Sequence, residues 1–385
     1  MNSHPSQVTS KVSLSELAFV FLKLGTTAFG GPAAHIAMME DEFVRKRQWI
    51  TESEFLDRIA SASLIPGPSS TEVAIFIGQV KRGWAGLVIG GCCFIIPAAV
   101  LVTMIAAIYT RFGSFPQVEG VLYGIKPAVI AIIVQALWSL SRTAIKNKLI
   151  TAIGVLAIVL SGFGVTPLVV LAVAGILSGG AVWFKSQEKP PLAAPFWKFG
   201  LLLKTAAVAV PPTMIRLFLS FLKIGAMVFG SGYVLLAFLR TEFVDRLHWL
   251  TEKQLLDAVA VGQFTPGPVF TTATFIGYLV AGVPGAFSAT IGIFLPGFAL
   301  VALSGRLLPK LRRSVWALAT LDGVVVGSLA LMAVVAWQLG RAAVVNWLTL
   351  VIFIASSIVV LRFRVNSAWV IACAGIIGWL VCSYG

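Results

Sequence analysis

Residues Trp84 to Tyr109 read WAGLVIGGCCFIIPAAVLVTMIAAIY, an uncharged apolar run longer than the roughly 20 residues a helix needs to cross a hydrocarbon core about 30 Å thick. Such a run admits few folds. In lipid every backbone N–H and C=O must be satisfied within the protein, so a spanning chain is either helical or a closed barrel. The period-2 alternation of barrel strands is absent, which leaves a helical bundle. Composition agrees, since 58% of residues are hydrophobic and 11% charged, too few polar groups to coat a soluble globule. The expected fold class is an all-α integral membrane protein, embedded in a lipid bilayer.

The run belongs to a set written twice. FLKLGTTAFGG at Phe21–Gly31 returns two hundred positions later as FLKIGAMVFGS at Phe221–Ser231, and PGPSSTE at 66–72 returns as PGPVFTT at 266–272. Trp49, Thr51, Glu52 and Asp57 recur as Trp249, Thr251, Glu252 and Asp257. The second copy is one residue shorter after its PGP, and Gly78, Pro97, Gly124, Trp138 and Arg142 then pair with Gly277, Pro296, Gly323, Trp337 and Arg341. The first repeat is set at 1–184, the linker with its polar KSQEKPP at 185–212, and the second repeat at 213–385. Duplicated membrane halves are a mark of transporters whose site lies at the repeat interface.

Basic residues in equivalent loops oppose each other. Lys81 and Arg82 follow the first PGP segment, where the second copy has the neutral AGVPGA; Arg111 faces Arg306, Lys310, Arg312 and Arg313; Arg142, Lys146 and Lys148 face Arg341 alone; SGFGVTP faces a loop with Arg362 and Arg364. The bias flips at every loop, so two inverted-topology repeats are expected. Inversion needs an odd number of crossings, yet each half offers six apolar segments. If 59–80 is a re-entrant PGP helical hairpin, about five transmembrane helices per half remain; the alternative is an ordinary Pro-kinked span. The N-terminus and C-terminus then fall outside, the linker is cytoplasmic, and DEFVRKRQWITESEFLDR lies along the cytoplasmic surface as an amphipathic helix. Residues 1–12 lack the pattern of a signal peptide, so the first membrane segment is expected to direct insertion.

Irregular backbone at membrane depth is tolerated only where it is buried in protein or lines a wet cavity. After Pro66, Gly67 and Pro68 a new helix starts with Ser69, Ser70 and Thr71, and its first amides have no helical partner. Such a positive helix end suits a small oxyanion. The second copy offers Thr271 and Thr272 after Pro266, Gly267 and Pro268. A second break, FGGP with Gly30, Gly31 and Pro32, recurs as FGSG with Gly230 and Ser231. Inversion would bring these breaks to one midplane site from both sides. Two readings of the hydroxyls stand at this point, as anion ligands or as routine helix caps.

Charges inside apolar segments are expensive and usually functional. Lys23 and Lys223 each lie six residues before the FG break and are candidate anion ligands, with snorkelling to an interface as the alternative. Lys126, in GIKPAV, Glu72 opposite Thr272, and Asp322 opposite Tyr123 form a candidate coupling or charge network; the acids are equally read as ion-pair partners of Lys126 or Arg341. His35, just after FGGP, sits near the expected site and is read first as a packing histidine.

The net charge of +14 sits in short loops, where topology bias accounts for it and no nucleic-acid partner is expected. Four cysteines, Cys92, Cys93, Cys373 and Cys382, show no metal or disulfide spacing, and no metal or cofactor is expected. Three histidines and no HExxH, GxSxG or clustered intramembrane carboxylates disfavour an enzyme. A membrane sensor would not need duplicated helix breaks. An anion transporter accounts for the inversion, breaks and lysines together.

FLKLGTTAFGGPAAHIAMMEDEFV, SLIPGPSST and GQFTPGPVFTTATFIGY resemble the chromate ion transporter family in its two-domain form, over nearly the whole chain. The resemblance implies a bacterial inner-membrane protein that exports chromate and confers chromate resistance, with sulfate as the similar competitor and ion gradients as the energy source. No GxxxxGK[ST] motif is present. Carried over, the motif positions are 29–32, 66–68 and 266–268, while FGSG at 229–232 departs by lacking the proline. Sulfate or another anion as substrate, a channel in place of a transporter, and a homodimer all remain compatible.

Overall fold

The computed structural model describes residues 12–113, 115–186, 213–230, 232–363 and 365–384; the linker stretch 187–212 and Ser231 lie outside the described residues. The first repeat comprises α1 (Leu14–Thr27), α2 (Gly31–Glu40) running into a π turn (Asp41–Lys46), α3 (Glu52–Ala62), α4 (Ser69–Phe112), α5 (Pro116–Ala144), α6 (Lys148–Gly162) and α7 (Pro167–Ser186). The second repeats it with α8 (Met214–Gly225), α9 (Leu235–Leu239) and a π turn (Arg240–Arg246), α10 (Glu252–Phe264), α11 (Thr272–Arg313), α12 (Val315–Ala343), α13 (Trp347–Phe363) and α14 (Ser367–Tyr384). Five described helices are long and apolar enough to cross a membrane, and three further apolar helices are shorter.

The duplication reaches into local geometry. Thr51 and Glu54 form a reciprocal capping box at the start of α3, and Thr251 and Gln254 form its twin at α10. Each α3-type helix is preceded by a π turn and a residue with positive φ, Gln48 in one copy and His248 in the other. Within α4 the helix reverses at Arg82 and Gly83, with Gly83 at φ 58°, and α11 reverses at Ala281 and Gly282, with Gly282 at φ 61°. Glycine meets the left-handed conformation at each reversal without steric cost. Gly78 then lies flat against the Gly86 carbonyl, and Gly277 against that of Gly285, as small residues allow between close-packed membrane helices.

The arm 69–81 is therefore a half-helix of roughly 20 Å at 1.5 Å per residue, too short to cross, and with α3 it forms the expected PGP hairpin. The first apolar segment adds a second hairpin of the same kind. After α1 the chain turns at Gly30 and Gly31, φ 107° and 80°, and α2 with its π turn comes back along it. Phe43 packs on Phe21 with ring centroids 5.2 Å apart, and Arg47 donates to Glu16 at 2.6 Å. The start of α1 thus shares a face with the segment after α2, where a straight first span would have set them on opposite faces. Two successive positive-φ glycines cannot continue a helix, and that is the physical reason for the reversal.

The copies interlock. The long arm of α4 lies antiparallel to that of α11, so its C-terminal end reaches α10 and the end of α11 reaches α3: Tyr109 meets Asp257, and Arg312 meets Asp57. Gly124 of α5 abuts the Ala374 carbonyl of α14, and Gly323 of α12 abuts that of Ala174 of α7. Exchange of contacts about a twofold perpendicular to the helices is what inverted repeats require.

Candidate functional site

The decisive geometry is a pair of backbone hydrogen bonds. Gly67 N–H donates to the Val228 carbonyl at 2.8 Å, and Gly267 N–H donates to the Ala28 carbonyl at 2.8 Å. Ala28 and Val228 are equivalent positions in the two copies, as are Gly67 and Gly267. Each PGP loop is therefore docked on the FG break of the other repeat, and all four breaks meet at one crossing. Gly67 (φ 138°) and Gly267 (φ 89°) adopt conformations that disfavour a side chain, and their amides reach across because no Cβ stands in the way.

Polar groups gather at this crossing. His35 Nδ1 lies 3.2 Å from Ser70 Oγ, and its ring packs edge-on against Phe94 at 5.7 Å. Tyr233 approaches from the second repeat, close enough that a Cβ at Gly31 would stand 3.0 Å from its hydroxyl. Ser70 and Thr71 are buried, Thr71 Oγ1 has no hydrogen-bond partner, and Pro32 sits in the first turn of α2. Glu72 is fully buried, and neither carboxylate oxygen has a partner. It is boxed in by Gly67 and by Gly297 of α11, where an added Cβ would sit 3.7 Å from its Oε1.

The second hairpin differs. Thr271 Oγ1 donates to the Pro268 carbonyl and Thr272 Oγ1 to the Val269 carbonyl, both at 2.8 Å, so these hydroxyls serve their own turn. Neither threonine caps a helix end, because each hydroxyl donates to a carbonyl three residues back instead of accepting from a helix-start N–H, and Thr71 Oγ1 has no partner at all. Gly230, at φ 87°, faces Val325 across an ordinary van der Waals gap.

The intramembrane lysines are ion-paired. Lys23 Nζ stands 3.6 Å from Glu42, with its side chain 51% exposed, and Lys223 Nζ stands 3.4 Å from Glu242 and is mostly buried. In both copies the pair ties the α1-type helix to the arm that folds back on it. Lys126 pairs with Asp257 at 2.9 Å, and Asp322 pairs with Lys146 at 2.6 Å near the surface. Neither acid of the expected charge network thus meets Lys126 or Arg341: Asp322 has gone to Lys146, and Glu72 has no partner.

Asp57 and Asp257 were visible in the sequence only as duplicated residues, yet both bond across the repeat interface. Asp257, fully buried, accepts from Tyr109 Oη at 2.8 Å besides pairing with Lys126, and Lys253 reaches Glu119 at 2.7 Å beside it. On the opposite face Asp57 takes a guanidinium nitrogen of Arg312 at 2.5 Å. The recurrence of Asp in LD at equivalent positions was the available signal. The two faces are not alike, because α10 is buried along most of its length while α3 has exposed and half-buried positions and borders a cleft of about 420 Å³. Substituting Lys126→Met is expected to cost roughly 3–5 kcal/mol by leaving Asp257 without its cation, read as a lowered Tm of purified protein. The double variant Lys126→Met/Asp257→Leu should recover most of that loss, and an unchanged Tm in the single variant would contradict the pairing.

The sequence pattern of the family described as Chromate transporter matches residues 15–179 and 215–379. The chain belongs to the chromate transporter family. A chromate transport protein of Cupriavidus metallidurans is 32% identical over 380 residues, covering 95% of this chain and 92% of that protein. A probable chromate transport protein of Synechococcus elongatus is 33% identical over 344 residues, covering 86% of this chain and 85% of its own length. The uncharacterized transporter YwrA of Bacillus subtilis aligns over 172 residues at 27% identity, covering 95% of itself and 43% of this chain, about the length of one repeat. No solved structure matches the chain. As a member of the chromate transporter family the protein is a multi-pass membrane protein, and both family regions carry one broken-helix pair each.

Proposed function

We propose that this protein is a secondary transporter that exports a tetrahedral oxyanion, chromate, from the cytoplasm, and that the anion binds where the PGP loops cross the FG breaks. The observation that carries the site is the reciprocal docking of Gly67 on Val228 and Gly267 on Ala28, which gathers four helix breaks into one buried place. Helix-start amides after Pro68 and Pro268, the hydroxyls of Ser69, Ser70 and Thr71 and the approach of Tyr233 offer donors to a dianion there. Lys23 and Lys223 are better placed as struts, since each stands beside a carboxylate, Glu42 or Glu242, that also engages Arg47 or Arg246. The substrate comes from the relatives named for chromate transport.

Orientation follows from charge. The face holding α3 and the 82–83 reversal carries Arg45, Lys46, Arg47, Lys81, Arg82, Lys146, Lys148 and Arg313, and the opposite face carries Arg111, Arg216, Arg240, Arg246 and Lys253. Short basic loops favour the cytoplasm, so the α3 face is the inner one, which puts the start of α1 inside, where the loop counts along the sequence had the N-terminus outside. The inner face has a cleft where the outer face is packed around α10, an asymmetry that rocking one repeat against the other would exchange. Inside-out membrane vesicles containing the protein should accumulate chromate that vesicles without it do not. Accumulation only in right-side-out vesicles would refute export, and none in either would refute chromate transport.

A further inference from the structure

The inner-face cleft lies between α3, the 69–81 arm of α4 and the C-terminal end of α11, and its walls include Arg58, Ser61, Phe76, Ser304, Arg312 and Arg313. Three guanidinium groups face one carboxylate, that of Asp57. Arg312 takes up that carboxylate, donating to Asp57 Oδ1 at 2.5 Å and, through its other terminal nitrogen, to the Asp57 carbonyl at 3.1 Å and Ser61 Oγ at 2.8 Å. Arg58 Nη1 stands 3.8 Å from Asp57 Oδ2, beyond hydrogen-bond reach, and its Nε is shielded from solvent without any partner. Two positive charges in the cleft are left unmatched, next to the hairpin whose tip forms the crossing.

The positions related by the duplication do not carry these groups. Ala258 stands where Arg58 does, and Gly113 stands where Arg312 does. A requirement of the shared fold would apply to both copies, so the arginines answer a need of one face only. Guanidinium is suited to tetrahedral oxyanions because its donors fork onto two oxygens, and a recessed basic pocket with low-dielectric walls raises local anion concentration and association rate.

We propose that this cleft is a second, lower-affinity binding site for a divalent oxyanion, which Arg58 and Arg313 capture from the cytoplasm before it passes to the crossing. This rests on the oxyanion reading of the protein given above. Arg312 is the positioning residue, since its bonds to Asp57 and Ser61 hold the α3 wall.

The test is initial-rate chromate uptake into inside-out vesicles by wild type, Arg58→Gln, Arg313→Gln and the double variant, together with equilibrium dialysis of radiolabelled chromate against purified protein. The double variant should raise KM about tenfold with kcat unchanged and flatten the fall of kcat/KM with ionic strength, while each single variant does part of this. In dialysis it should lose one class of bound dianion. An unchanged KM and salt dependence, or a fall in kcat alone, would overturn the capture site. Should wild type fail to transport chromate, the functional reading falls, and dialysis still decides the cleft: dianion binding lost in the double variant sustains it, and binding equal in both proteins overturns it.

Discussion

Gly67→Ala is expected to lower oxyanion transport by about a hundredfold. Gly67 holds φ 138°, a region that side-chain-bearing residues rarely occupy, and a Cβ there would overlap the Glu72 carboxylate. Strain of this kind costs on the order of 1–3 kcal/mol, and relieving it would pull the Gly67 amide off the Val228 carbonyl and open the crossing. A barrier rise near the top of that range corresponds to about two decades in rate. Gly267→Ala meets the Ala98 methyl at 2.6 Å and should fall in the same direction. Gly83→Ala is the control, because its φ of 58° is left-handed but nothing lies within 4 Å of the added methyl. It should cost roughly 1–2 kcal/mol of stability and leave transport near wild type. Initial uptake rates of the three purified variants, with Tm as the folding check, separate a damaged crossing from a generally weakened hairpin. Equal loss in Gly67→Ala and Gly83→Ala would remove the crossing from the mechanism.

Glu72→Gln should uncouple transport from the proton gradient while leaving the fold intact. The Glu72 side chain has no solvent exposure, and neither oxygen has a hydrogen-bond partner. An unpaired carboxylate so enclosed is costly by several kcal/mol. We propose that ionising it requires the loop between Gly67 and Gly297 to move, so that a proton is tied to the state of the crossing. Glutamine keeps the shape and mimics the neutral form, so Tm should be unchanged or raised. Uptake driven by an imposed pH gradient should drop at least tenfold, while exchange of chromate for chromate across the membrane, which needs no net proton movement, persists. Gradient-driven uptake at the wild-type level would show that the proton travels elsewhere. The second repeat carries Thr272 at this position, so the proposed coupling belongs to one hairpin and not to both.

Much of this architecture was legible because its determinants are local or repeated. Long apolar runs without alternation exclude everything but a helical bundle, and Pro-Gly-Pro stops a helix wherever it stands. The flip in loop charge gave the inversion that the antiparallel long arms of α4 and α11 display. Other features depend on long-range packing. That residues 14–46 fold back turns on the paired positive φ of Gly30 and Gly31, which the motif FGGP permits but does not demand. Lys126 meets Asp257 and Asp322 meets Lys146 only because the repeats interlock, and no spacing along the chain encodes such partners. The lysines at 23 and 223 looked like free intramembrane charge because Glu42 and Glu242 lie beyond a reversal that hydropathy cannot register. The difference between a packed α10 and a half-exposed α3 is a property of one conformation, and the recurrence of motifs in two related sequences cannot announce it.

Whether the crossing of the PGP loops and FG breaks is an oxyanion site is read from radiolabelled chromate uptake into proteoliposomes in the presence of competing anions. Saturable uptake that sulfate suppresses, that chloride at equal ionic strength does not, and that Gly67→Ala abolishes in folded protein is the expected result. Uptake no greater than in empty liposomes, or uptake that chloride suppresses as well as sulfate does, would contradict it.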